Sequence, residues 1–85
     1  MFDLDAGWRL HPQVALRPES FGALLYHFGT RKLSFLKDLS LVDVVRALPD
    51  QPSARAALKV CDADRPVYVR ALASLADSHM LVSAT

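Results

Sequence analysis

The sequence predicts an α+β domain of winged-helix-like arrangement, a three-stranded antiparallel sheet followed by three helices. Three observations carry this reading. Alternating and aromatic runs fill residues 13 to 36, the hydrophobic period changes at Ser40 from two to about 3.6, and three helical patterns follow, opened by Ser40, Ser53 and Pro66. At 85 residues the chain is read as one domain, 1–85, able to bury one small core.

Met1 to Gly7 mixes acidic and small residues without a period and reads as a flexible lead-in. Trp8 and Leu10 begin a first extended element. Gln13 to Arg17 alternates with Val14 and Leu16 on one face, and the prolines at 12 and 18 mark it as an edge strand, because proline cannot donate to a ladder. Phe21 to Phe28 is a nearly continuous apolar strand. Gly29-Thr30 supplies the turn, and Arg31 to Leu36 returns with Leu33 and Phe35 on one side and Lys32 and Ser34 on the other. Strands this close in sequence form an antiparallel meander.

Ser40-Leu-Val-Asp43 fits a capping box, in which hydroxyl and carboxylate each satisfy a free amide of the first turn. Leu41, Val44, Val45 and Leu48 share one helical face, and Pro49 ends the helix. Ser53 caps a second, short helix to about Val60, and the acidic stretch from Cys61 to Arg65 links it to the third. Pro66 opens that helix, where its missing amide costs nothing. At about 100° per residue, Tyr68, Val69, Leu72, Leu75 and Ala76 form one inward stripe. Arg70, Ala73 and Asp77 flank it on one side, and Val67, Ala71 and Ser74 on the other. Met80 to Val82 folds back on the core.

Composition narrows the function. Hydrophobic residues make up 52% of the chain, high for so small a domain, so apolar surface is left for a partner. A net charge of +1 gives no strong pull toward nucleic acid or anionic lipid. One cysteine excludes an internal disulfide and suits a reducing, cytoplasmic setting. No run reaches the roughly 18 apolar residues of a membrane helix. His11, His27, His79 and Cys61 fit no zinc spacing, and Asp62 and Asp64 oppose a Cys61 thiolate. No phosphate loop, carboxylate pair or nucleophile elbow occurs, so no metal, cofactor or catalytic residue is expected and the chain reads as a binding protein, not an enzyme.

The third strand is the sharpest candidate site. As an outer edge it can accept an extended peptide as an added strand, with the third helix as the other wall of the groove. The plainer reading is an edge guarded by Arg31, Lys32 and Lys37 against aggregation. A winged-helix DNA-binding protein is the alternative from another class, with His27, Arg31, Lys32 and Lys37 as its wing. Against it, the basic residues of the later helices are offset by Asp62, Asp64 and Asp77. Phe21, Leu25, Tyr26 and Phe28 cannot all face one side of a sheet. Either the N-terminal segment with Trp8 covers the second face, or that face docks a partner enzyme or a second copy, making a homodimer.

From Trp8 to Leu36, the run Trp-Arg-Leu-His-Pro-Gln-Val-Ala-Leu-Arg-Pro-Glu-Ser-Phe-Gly-Ala-Leu-Leu-Tyr-His-Phe-Gly-Thr-Arg-Lys-Leu-Ser-Phe-Leu resembles the peptide-chaperone family of the mycofactocin pathway. Those chaperones are small precursor-recognition domains akin to the pyrroloquinoline-quinone peptide chaperone. The likeness is dense to Leu48 and looser from Pro66 to Val82. Ser78-His79 departs from it, because the family often has glycine in that helix-ending turn. The resemblance implies that the leader of a mycofactocin precursor peptide docks between third strand and third helix. It also implies presentation to a radical S-adenosylmethionine maturase that modifies the peptide's C-terminal Val-Tyr end and itself carries the iron–sulfur clusters. The expected peptide-binding residues are Arg31, Lys32, Leu33, Ser34, Phe35, Val69, Arg70 and Ala73. Among them Leu33 and Phe35 belong more to the core, so Phe35→Ala would act by loosening the fold, while Ser34→Pro would remove an edge donor.

Overall fold

In the computed structural model, which describes residues 2–84, the chain runs through β1 (Trp8–Leu10), β2 (Val14–Glu19), β3 (Gly22–His27), β4 (Lys32–Leu36), α1 (Leu39–Ala47), a 3-10 turn at Leu48–Asp50, α2 (Ala54–Val60), α3 (Pro66–Asp77) and β5 (Leu81–Ser83). The architecture is α+β, with a three-stranded antiparallel sheet in the order β2-β3-β4 followed by three helices. A second sheet pairs β1 with β5 antiparallel, Trp8 opposite Ser83 and Leu10 opposite Leu81. The extended element expected at Trp8 and Leu10 thus finds its partner in the segment after α3, which forms a strand rather than only folding back on the core.

One face of the main sheet carries the core. Ala23, Leu25 and His27 of β3 point inward with Leu36 of β4, against Leu41, Val44, Val45, Leu58 and Leu72 of the helices. Burial of these apolar side chains, each worth about 1.5–3 kcal/mol for a leucine or valine, is the main force holding sheet to helices. Pro18 sits inside β2 opposite Ala23, at a position whose amide faces away from β3, so the ladder loses nothing.

Several local expectations change. Asp38, not Ser40, caps α1: its carboxylate accepts from the Ser40 amide at 2.8 Å, and the box with Asp43 does not form. The helix starts two residues earlier than a Ser40 cap implies, and the Asp38 carboxylate satisfies its second amide directly. Residues 2–7 are anchored rather than a free lead-in. Phe2 stacks on Trp8 at 4.7 Å, the Trp8 indole donates to the Asp3 carbonyl, and the Ala6 and Leu4 carbonyls accept from Ala54 and Arg55. Phe2, Leu4 and Trp8 pack against the core, so this segment is bound on the helical side and does not cover the outer sheet face. The β3–β4 hairpin loop spans four residues, Phe28 to Arg31, rather than the two of Gly29-Thr30, and its Arg31 is left-handed at φ 61°. His27, 3% exposed, organises that loop from inside: its Nδ1 accepts from the Gly29 and Thr30 amides at 3.0 and 3.1 Å.

The α3 terminus resolves the Ser78-His79 departure. The Met80 amide donates to the Leu75 carbonyl and the His79 amide to the Ala76 carbonyl, the paired bonds of a Schellman motif, with His79 left-handed at φ 63°. The glycine-type turn therefore forms around a histidine. A left-handed L-residue costs about 1–2 kcal/mol, and glycine's extra chain entropy returns about half of that. His79→Gly is expected to raise the thermal midpoint by about 4 °C, a gain of about 0.5–1 kcal/mol. An unchanged or lower midpoint in a melting curve would show that the turn carries no strain.

Candidate functional site

β4 forms one outer edge of the main sheet, and the direction of its free hydrogen-bonding groups follows from the ladder. In antiparallel strands each residue turns both backbone groups to the same side, and the sides alternate. The Phe28 amide donates to the Gln13 carbonyl at 2.8 Å, on the β2 side, while the His27 carbonyl accepts from Arg31 at 2.7 Å, on the β4 side. Ala23, Leu25 and His27 therefore bond toward β4, where their partners are Leu36, Ser34 and Lys32. Leu33 and Phe35 turn their amides and carbonyls outward, and these are the groups an added strand would meet. Ser34's amide, expected at the free edge, belongs to the interior ladder.

Beside this edge lies an open cleft of about 230 Å³, lined by Ser34, Phe35 and Leu36 of β4, Leu41 of α1, and Ala71, Ser74 and Leu75 of α3. Its floor is apolar and buried, and its α3 wall is small: Ala71 and Ser74 leave the space a larger residue would fill. Small-molecule sites run to about 300–1,000 Å³, so this cleft suits side chains of a peptide better than a whole small ligand. Its depth is set where strand meets helix. Asp38, just past β4, caps α1 with one oxygen and accepts from the Tyr68 hydroxyl of α3 at 2.8 Å with the other. That hydrogen bond, with help from the Ser40 and Leu41 amides, holds the Asp38 carboxyl below its usual range.

The eight residues named from the sequence divide. Ser34 and Phe35 line the cleft, and Leu33 stands at its edge through its backbone. Leu33 and Phe35 are not core: they are 53% and 57% exposed, because the alternation of β4 sends Ser34 and Leu36 inward and the odd positions outward. Arg31 and Lys32 lie exposed at the hairpin end of the strand. Val69 packs against the core, and Arg70 and Ala73 lie off the cleft wall. Ala71 and Ala73 are about 200° apart on the helix, so only one flank of α3 can face β4. The residues missed, Leu36, Leu41, Ala71, Ser74 and Leu75, left one signal in the sequence: two small residues at i and i+3 beside the apolar stripe.

The other reactive side chains have ordinary places. Burial, then Asp43, pushes the Cys61 thiol up, away from thiolate formation. Among the described residues no three His, Cys, Asp or Glu side chains converge as metal ligands, and no helix is long and apolar enough to cross a membrane.

Comparison with known proteins gives a family. The profile of the Peptide chaperone MftB family matches residues 7–82. The chain is 61% identical over 84 residues to Peptide chaperone MftB of Mycobacterium ulcerans and of Mycobacterium tuberculosis, spanning 95% of this chain and 77% of each relative. It is 60% identical over 84 residues to the protein of the same name from Mycolicibacterium smegmatis, spanning 82% of that relative. No solved structure matches it. Matched over residues 7–82 and about 61% identical to these relatives, the chain belongs to the Peptide chaperone MftB family.

Proposed function

We propose that the chain is a cytosolic peptide chaperone of mycofactocin biosynthesis that holds the leader of the precursor peptide as an extra strand on β4 and presents it to the pathway's radical S-adenosylmethionine maturase. The observation that carries this reading is the outward pair of backbone groups at Leu33 and Phe35, running beside the cleft walled by Ala71, Ser74 and Leu75. An added strand pairs with those groups and drops every second side chain into the cleft. Four backbone bonds at a net of about 1 kcal/mol each supply about half of a micromolar affinity near −8 kcal/mol. Apolar leader residues in the cleft supply the rest, after an ordering cost of about 2–5 kcal/mol. Lys32 and Arg31 favour a leader carrying carboxylates, as exposed pairs worth about 0–1 kcal/mol each. Holding leader and maturase together raises the effective concentration of the peptide's reactive end at the enzyme.

The DNA-binding alternative has less to stand on. His27, one member of its wing, is buried in the hairpin, and Arg55 of α2 is engaged with Asp5 at 2.9 Å. A calorimetric titration with synthetic precursor leader, a scrambled leader and a short DNA duplex tests the choice. Saturable one-to-one binding of the native leader alone, at micromolar strength, is expected. Salt-sensitive binding of the duplex with no leader binding would sink the chaperone reading.

A further inference from the structure

The second face of the main sheet is open. Along β3 the side chains of Leu24, Tyr26 and Phe28 stand outward, and the register sets Phe35 opposite Leu24 and Leu33 opposite Tyr26 on the same face. Phe28, 58% exposed, meets Tyr26 edge-on at 5.0 Å, and Phe21 sits 6.3 Å from Phe35. The rings form two pairs, and the register sets Leu24 and Leu33 on the same face beside Phe35 and Tyr26, so this is one apolar surface rather than scattered residues. No described part of the chain covers it: residues 2–10 and β5 are committed to the helical side.

Charge indicates what does cover it. Residues 14–37 hold Arg17, Arg31, Lys32 and Lys37 against a single acid, Glu19, which already pairs with Arg17 at 3.0 Å. Arg17 stands on the outer face and Arg31 and Lys37 flank the two ends of β4, while Lys32 shares the other face with Ser34. The rest of the chain is acidic, with eight carboxylates against six basic residues. A second copy laid face to face would oppose two basic rims, which disfavours it. The complementary occupant is an apolar surface ringed by carboxylates. This face is also continuous with the peptide site, because Phe35 belongs to both. A strand added to β4 extends the same sheet, and every side chain it does not bury in the cleft continues the outer face.

We infer that the outer sheet face, completed by the bound leader strand, is the docking surface for a carboxylate-rimmed apolar patch on the maturase. This rests on the functional reading above. A partner contacting both sheet and leader binds the loaded chaperone more tightly than the empty one, and by linkage tightens the leader by the same factor.

The test uses the full chain and the maturase, with and without leader, comparing wild type with Phe28→Glu and Arg17→Glu. Both changes lie outside the cleft, on exposed side chains. Each is expected to weaken maturase binding at least tenfold while leader affinity stays within twofold, and leader is expected to strengthen wild-type maturase binding at least tenfold. Wild-type maturase affinity in both variants would overturn the assignment of this face, and equal affinity of loaded and empty chaperone would overturn the composite surface. A wild-type dimer that Phe28→Glu disperses in sedimentation would make the face a self-contact and overturn the inference. Leader binding with no maturase binding under any condition would instead remove the presentation role itself.

Discussion

Leu33→Pro is expected to leave the domain folded and to weaken leader binding at least tenfold, whereas Ser34→Pro, one residue on, unfolds it. The two positions differ only in which way the amide points. Leu33 donates outward from an edge strand, where proline is tolerated, and Lys32 before it is already extended as proline requires. The loss of one donor leaves a leader carbonyl desolvated and unpaired, a penalty of about 1–3 kcal/mol and thus about one to two decades in affinity. Ser34 is paired with Leu25, whose side chain is fully buried, so proline there breaks a ladder bond inside the sheet and strands its acceptor. Melting curves and leader titrations on both variants decide the matter. A folded Leu33→Pro chain that binds leader at full strength would exclude strand addition through that amide. Phe35→Ala belongs to the same test: its exposed ring stands on the outer face at the edge an added strand would join, so its loss should reduce binding with little change in melting temperature.

What the sequence disclosed follows a physical division. Strand and helix patterns are local: the aromatic run after Ser20, the change of period near Ser40 and Pro66 at a helix start each report on a few neighbouring residues. Those elements appear within one or two residues of their expected places. The choice of β4 as an edge was also legible, because a meander of three strands leaves its last strand outermost. The phase of β4 was not. The pattern sets apolar Leu33 and Phe35 against polar Lys32 and Ser34, yet Ser34 lies on the inward face with Leu36, and only pairing with β3 fixes which side is buried. The flank of α3 that faces the cleft was hidden for a similar reason. Both flanks carry an alanine and a polar residue, and the helix's rotation is set by Leu72 and Leu75 in the core and by Tyr68 reaching Asp38, contacts thirty or more residues apart in the chain. The anchoring of residues 2–7 is likewise tertiary: Phe2 and Leu4 are isolated apolar residues whose partners lie around Ala54.

Gly22→Ala is expected to be the most damaging single methyl group that can be added to this chain. Gly22 follows the two-residue turn Ser20-Phe21 and opens β3 with φ at 150°, a region that side chains rarely enter. An added Cβ would also collide with the Leu36 carbonyl at the end of β4, a backbone atom that cannot swing aside. The conformational cost alone is about 1–3 kcal/mol, and displacing β4 adds to it, for a total of about 3 kcal/mol or more. A domain of this length holds about 4–13 kcal/mol in all, so the thermal midpoint should fall by about 15 °C or more. Gly7→Ala is the control, since its Cβ would meet Ala84 at an ordinary 3.4 Å and its φ is not restricted to glycine, giving a change of about 0.5 kcal/mol. Because the collision is with β4, the consequence reaches function. Any Gly22→Ala protein still folded at low temperature has a displaced Leu36 and a deformed cleft, and it should bind leader more weakly than its folded fraction alone explains. Titration at a temperature where circular dichroism shows full folding separates the two effects, and undiminished affinity there would show that β4 keeps its place without the glycine.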